Sequence, residues 1–195
     1  MTTNQAAIMG LRYICDYLSP GDQKHLLAII DQQPWNTALK RRVQHYGYRY
    51  DYTRRTIDHS LALGSLPPWA RDLALQLERD GLVDQQLDQL IINEYHPGQG
   101  IASHIDCIPC FKDTILSISL GSPCVMLLTN VQTHEQLPLL LEPGSAVILA
   151  GEARYEWKHG IPARRTDQYA NQTIVRARRV SLTFRTVILQ NAQMS

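Results

Sequence analysis

No stretch of the 195-residue sequence is apolar for long enough to cross a bilayer. The longest runs, such as Ala146 to Ala150, fall far short of the roughly 20 residues that a spanning helix needs. The first ten residues, MTTNQAAIMG, carry neither a basic side chain nor an apolar central segment, so no secretory leader is readable there. Cysteine is scarce: Cys15, Cys107, Cys110 and Cys124 do not make a disulfide scaffold in a chain of this size. The expected setting is therefore soluble, reducing and cytoplasmic, without a membrane partner. Excess charge is lacking as well. Nineteen basic against 18 acidic residues leave a formal +1, which excludes a coat for polyanions by bulk charge but not a local basic patch. There is no internal repeat and no low-complexity tract.

What is present is 44% hydrophobic residues in a length that suits one domain, 1–195, with a real core. Residues 11–18, LRYICDYL, read as a strand. Ser19 then reads as an N-cap with Pro20 at the first helical position, opening a helix over about 20–32 whose apolar side holds Leu26, Leu27, Ile29 and Ile30. A second helix is expected from Pro67-Pro68, with Trp69, Leu73 and Leu77 inward and Gly81 as its C-terminal cap. From residue 87 the pattern changes to short Val/Ile/Leu/Thr-rich runs bounded by turn residues such as Pro143-Gly144. Helices early and antiparallel strands late predict an α+β class, a sandwich or barrel over 87–190 with the helices packed outside it.

Two patterns in the strand-rich part carry chemistry. His104 and Asp106 are two residues apart, so on extended chain both point to one face. With His159 as the best third candidate they would give two imidazoles and a carboxylate, a set that suits non-haem Fe(II) with positions left open for a cosubstrate and O2. H-x-D alone is a common pair, and a lone His is more often a surface or core residue than a ligand. The last strand supplies the company: in RRVSLTFR, Arg179, Ser181, Thr183 and Arg185 share one face, and Val180, Leu182 and Phe184 the other. Arginines aimed into a barrel need an anion, and a dicarboxylate would serve. Six residues of strand span about 20 Å, so two arginines reach one small diacid only by leaning together. An edge strand with solvated arginines is the plainer alternative.

Asn93, Tyr95 and Gly98, then His104 and Asp106, then His159, then Arg179 to Arg185, stand in an order that resembles the AlkB family of Fe(II)- and 2-oxoglutarate-dependent dioxygenases. RRVQHYGYRYDY at 41–52, HPGQGIASHID at 96–106 and ILSISLGS at 115–122 are similar to the AlkB domain of its tRNA-modifying branch. The resemblance implies a double-stranded β-helix (jelly roll) over 87–190, with Fe(II), 2-oxoglutarate and O2 as cofactor and cosubstrates. It implies His104, Asp106 and His159 as metal ligands and catalytic centre. Arg179 would hold the distal carboxylate of 2-oxoglutarate beside Asn93 and Tyr95, Arg185 would lie nearer its keto-acid end, and Ser181 and Thr183 would line the same wall. The implied reaction couples decarboxylation of 2-oxoglutarate to succinate with hydroxylation of a C–H bond, which on an N-methyl group releases formaldehyde. One departure stands out. Base-demethylating members carry an acidic residue two positions after the metal Asp, where this sequence has Ile108.

Residues 36–56 hold six basic side chains (Lys40, Arg41, Arg42, Arg49, Arg54, Arg55) and one acidic one, Asp51. Tyr46, Tyr48, Tyr50 and Tyr52 alternate among them, so on a strand all four rings would share a face and could stack on an unpaired base. In the family this segment, 36–66, is a substrate-recognition lid, and Arg41, Arg42, Tyr46 and Tyr48 are its candidate substrate contacts. Arg164 and Arg165 would add to a phosphate-contacting rim. Cys107-x-x-Cys110 has no second cysteine pair and reads as incidental. The expected substrate is a modified nucleobase in single-stranded DNA or in RNA such as tRNA. The alternatives are the same iron chemistry on a protein or small molecule, and a non-catalytic binding module.

Overall fold

The computed structural model describes residues 8–38 and 40–189. Ser19 caps helix α1 (Pro20–Asp31), its hydroxyl accepting from the Asp22 amide at 3.2 Å. Helix α2 (Pro68–Arg79) starts on Pro67 as expected. It ends where the Leu82 amide donates to Leu77 O and that of Gly81 to Glu78 O, each at 3.0 Å, a Schellman closure. Both helices bury one stripe: Leu26 and Ile30 from α1, Ala70, Leu73, Ala74 and Leu77 from α2. No helix among the described residues is long and apolar enough to cross a membrane.

The helices cover one face of a six-stranded antiparallel sheet. Its strands are β1 (Leu11–Ile14), β2 (Val43–Tyr46), β3 (Gln89–Tyr95), β5 (Ile115–Gly121), β8 (Ala146–Leu149) and β12 (Arg179–Arg185), in the order β1-β8-β5-β12-β3-β2. A four-stranded sheet faces it, built from β4 (Ile101–His104), β6 (Cys124–Asn130), β7 (Gln136–Leu141) and β9 (Trp157–Ile161) in the order β4-β9-β6-β7. A short helix α3 (Gly151–Tyr155) leads into β9, and a hairpin, β10 (Thr166–Tyr169) with β11 (Gln172–Val175), precedes β12. Asp167 locks that hairpin down, accepting from Arg176 Nε at 2.5 Å, Arg164 Nε at 2.6 Å and the Val125 amide at 3.0 Å. Arg164 is thereby occupied in the fold. This is the jelly-roll core with outer helices that the sequence predicts.

Strand parity sorts the core into two layers. Leu90 and Ile92, Leu116, Ile118 and Leu120, and Val180, Leu182 and Phe184 face the helices. Tyr95, Ile115, Val147 and Leu149 face inward against Met126, Leu128, Leu139 and Leu141 of the smaller sheet. Between the layers the inner face of β12 is polar, and all seven of its residues are buried.

Two expected strands come out shorter. The 11–18 strand stops at Ile14, because Asp16 takes a left-handed φ of 49° and turns the chain toward α1. The tyrosine segment is not one strand either. β2 ends at Tyr46, and Gly47 at φ 76° brings its backbone so close to Asp88 that a Cβ there would lie 1.8 Å from the carbonyl oxygen. Beyond Gly47 the chain leaves the sheet edge as an irregular arm, tied by the bridges Tyr48 to Ala62 and Asp51 to Thr56. Gly47→Ala is expected to cost about 2 kcal/mol or more through positive-φ strain and this clash. Urea unfolding would read the loss, and an unchanged midpoint would show that this close approach is not needed.

Candidate active site

β4 and β9 pair with His104 opposite His159, which puts the two imidazoles 4.5 Å apart between ring centres. Gly160 lets the strands meet this closely, since a Cβ on it would sit 2.8 Å from the Ser103 backbone. His104 Nδ1 donates to Ala102 O at 2.8 Å, which fixes the tautomer and leaves Nε2 with its lone pair free. Asp106 lies just past β4 and is 7% exposed. Its Oδ1 accepts from Arg185 Nη2 at 2.7 Å, while its Oδ2, 3.5 Å from His159 Nε2, has no hydrogen-bond partner. One ligand atom from each of His104, Asp106 and His159 falls within 4.8 Å of the others, the one such cluster among the described residues. The remaining histidines stay outside it.

The electrostatics keep Asp106 and His159 in ligand form. Burial pushes Asp106 upward, but the Arg185 guanidinium beside it outweighs that and holds the carboxyl well below the usual carboxylate range. Burial lowers His159 to about 4 against the opposing pull of Asp106, so its ring is neutral near pH 7. A neutral imidazole and an ionised carboxylate are what a metal requires.

A narrow cavity of about 70 Å³ runs inward from His104 and His159 between the sheets, walled by Asn93, Tyr95, Ser181 and Thr183, and reaches Arg179. Arg179 is 4% exposed. Its Nη2 donates to Ser119 Oγ at 2.8 Å, its guanidinium lies 5.5 Å from the Tyr95 ring centre, and its Nε and Nη1 have no partner. Buried N–H groups left open in this way call for an anion. The cavity therefore offers metal-ligating atoms at one end and an unpaired guanidinium at the other. Fe(II) with a keto diacid fits both ends: a carboxylate oxygen and two imidazoles await the metal, and Arg179 awaits the far carboxylate. Arg185 touches the same cavity at its metal end. There its Nη2 donates to Asp106, and its Nη1 donates to Gln89 Oε1 at 3.3 Å.

On the other side of His104 and Asp106 a wider cleft of about 750 Å³ opens to solvent, lined by Tyr50, Tyr52 and Phe111, by Arg41, Arg55 and Lys158, and by Ile108 and Pro109. Arg41 is one of the expected substrate contacts, and its Nε also donates to Asn93 Oδ1 at 2.9 Å. Arg42, also expected there, does not line the cleft: it pairs with buried Glu94 and stacks 4.5 Å over Trp35. Tyr46, expected there too, lies outside the cleft, because its ring packs edge-on against Trp69 beneath α2. Tyr48 is half-buried against the inner core rather than in the cleft. Tyr50 and Tyr52 take their place, packed edge to face with centres 5.0 Å apart.

Two further features escaped the sequence reading. Cys107 and Cys110, expected to be incidental, are joined in a disulfide across a Cα separation of 5.2 Å, closing the turn behind Asp106. Arg154, 2% exposed, donates from Nη1 to Asp106 O at 2.9 Å. The signal for the first was the C-x-x-C spacing; an Arg inside an otherwise unremarkable helix gave none for the second.

The family model of the 2OG-Fe(II) oxygenase superfamily matches residues 10–185. A protein of Arabidopsis thaliana named alkylated DNA repair protein ALKBH8 homolog is 37% identical over 206 residues, covering 92% of this chain and 59% of that one. The tRNA (carboxymethyluridine(34)-5-O)-methyltransferase alkbh8 of Xenopus tropicalis is 37% identical over 163 residues, covering 81% and 26%. The chain thus spans less than two thirds of the length of either relative. The solved structure of OsALKBH1 shares the fold, with a TM-score of 0.70 at 18% identity over 91% of this chain and 96% of that one.

Arg185→Met leaves Asp106 buried without its counter-ion and is expected to destabilise the metal-free protein by about 3–5 kcal/mol at pH 7. In the wild type the depressed carboxyl contributes stability that is fully present above its unfolded value near 4 and is lost only as pH falls through the lower folded value. In the variant burial prevails, the carboxyl rises, and acidification protonates it. The stability gap measured by urea unfolding should therefore narrow from pH 7 to pH 5. A constant gap would show that Arg185 does not hold Asp106 ionised.

Proposed function

We propose that this chain, which belongs to the 2OG-Fe(II) oxygenase superfamily and within it to the AlkB family, oxidises a modified or alkylated nucleobase in single-stranded nucleic acid or tRNA. It is a dioxygenase that uses Fe(II), 2-oxoglutarate and O2. His104, Asp106 and His159 would hold the iron. Arg179 would take the distal carboxylate of 2-oxoglutarate, with Tyr95, Asn93, Ser181 and Thr183 shaping the channel around it. Bound iron with 2-oxoglutarate and O2 supplies the oxidising power, decarboxylating the keto acid to succinate and inserting oxygen into a substrate C–H bond. The chain supplies the rest. Arg185 keeps Asp106 ionised, Ala102 O keeps the His104 lone pair on the metal side, and the inner core excludes water from the channel.

The observation that carries the substrate reading is the cleft. Aromatic rings and cations meet at the mouth of the metal cluster, a combination that stacks a flat base and draws in the phosphates beside it. Residues 36–66 form its lid in this reading and 87–190 its core. Ile108 stands at the rim where a carboxylate would be needed to bind an exocyclic amine. Among the described residues the one carboxylate lining the cleft, Asp106, is engaged by Arg185. The cleft thus favours bases that present acceptors over those that present amines.

The test is anaerobic loading with Fe(II) and 2-oxoglutarate, then succinate release on admitting O2 with alkylated oligonucleotides, tRNA or methylated peptides. Wild-type protein should release succinate with nucleic acid, His104→Ala should release none, and Arg179→Ala should raise the KM for 2-oxoglutarate by about 10–100-fold, the range for a lost charged hydrogen bond. Arg41→Glu with Arg55→Glu should weaken nucleic-acid binding and flatten its salt dependence. Turnover of peptides alone would move the substrate to protein.

A further inference from the structure

We infer that Arg154 is a positioning residue for the carboxylate of Asp106. The inference rests on the reading that His104, Asp106 and His159 hold iron. Both histidines are fixed by the β4–β9 ladder, but Asp106 is not: it lies two residues past the end of β4, where no strand pairing reaches. Arg185 holds one oxygen of its side chain. Its backbone must be held by something else, and the group that does so is the Arg154 guanidinium. Nη1 donates to Asp106 O at 2.9 Å and Nη2 to Cys107 O at 3.3 Å, so one planar fork spans two successive carbonyls.

The anchor of this fork is itself rigid. Arg154 sits on α3, whose Gly151 amide donates to Asp113 Oδ1 at 3.0 Å, and the Trp157 indole donates to Glu152 Oε1 at 2.9 Å. The Tyr155 ring lies 5.1 Å from the guanidinium carbon. α3 runs directly into β9, so a single side chain ties the segment bearing His159 to the loop bearing Asp106. A buried guanidinium is a costly way to fill space, and its Nε is left without a partner. An apolar side chain would pack there more cheaply. What it could not do is set the spacing between the two ligand-bearing segments, and a lysine, with a single tip, could hold only one of the two carbonyls.

The test is Mn(II) affinity, read by the electron paramagnetic resonance of the free ion, for wild type, Arg154→Met, Arg154→Lys and His104→Ala. Melting temperatures of the metal-free proteins are taken alongside. Arg154→Met should weaken Mn(II) binding by about 10–100-fold, as lost support of a metal ligand does, at a melting temperature close to wild type. Arg154→Lys should fall between the two, a partial rescue that a purely space-filling role would not give. Should Arg154→Met fail to fold, Arg154→Lys decides: several-fold weaker binding supports the inference, and wild-type affinity overturns it. Wild-type affinity in a folded Arg154→Met overturns it as well and leaves the metal centre intact. Wild-type protein that binds Mn(II) no better than His104→Ala would overturn the metal centre itself, and this inference with it.

Discussion

Moving a guanidinium from water into a protein interior costs several kcal/mol unless an anion and hydrogen bonds replace the water. β12 carries out that transfer twice within seven residues, at Arg179 and Arg185, both facing the space between the sheets. Arg185 recovers the cost internally, on Asp106. Arg179 does so only in part, on Ser119 and the face of Tyr95, and keeps two N–H groups open. The difference between the two divides the site. Arg185, paired with a carboxylate, keeps only its Nε open and fixes Asp106; Arg179 has no carboxylate beside it and keeps two N–H groups open in the cavity.

The rest of the fold follows from where those side chains must stand. An interior face that is polar along its whole length contributes little apolar burial, so β12 depends on its other face. Val180, Leu182 and Phe184 are fully covered there by the layer under α1 and α2. The N-terminal helices therefore do more than coat the barrel. They bury the apolar half of the strand whose polar half carries the chemistry. On the opposite sheet the constraint is closeness rather than charge: His104 and His159 face each other because β4 and β9 approach at Gly160.

Features that depend on periodicity were legible in the sequence, and features that depend on a change of direction were not. The two helices, the late strands and the β12 parity all follow from spacing along one regular element. The same spacing puts His104 with Asp106 and Arg179 with Arg185 on shared faces, while His159 and the meeting of distant strands rest on the family resemblance. The tyrosines failed because alternation holds only while the strand lasts. Gly47 ends it, so Tyr46 stays under α2 while Tyr50 and Tyr52 swing to the cleft. Arg42 failed because its partner, Glu94, lies in another strand, and nothing local marks that a basic residue in a basic run is already paired. The Cys107–Cys110 bridge and the Arg154 contacts are likewise tertiary. Both act on a loop whose shape no pattern encodes.

That loop separates two kinds of function within one site. The cluster of His104, Asp106 and His159 and the inner cavity are built from side chains on β3, β4, β9 and β12, fixed by strand pairing and burial, with Asp106 alone standing past the end of its strand. The outer wall of the cleft comes from the arm after Gly47 and the turn after Asp106, over a floor of strand residues such as Ile91, Ser103 and Lys158. A substitution in the arm can reshape which molecule is presented without disturbing how it is oxidised. The turn after Asp106 has no such freedom. Its residues Ile108 and Pro109 line the cleft, while its first residue, Cys107, shares the Arg154 fork with the metal-facing aspartate. Displacing the turn to fit another substrate would pull on the carbonyl that the same guanidinium holds. Through that shared contact the shape of the substrate side constrains the geometry of the centre.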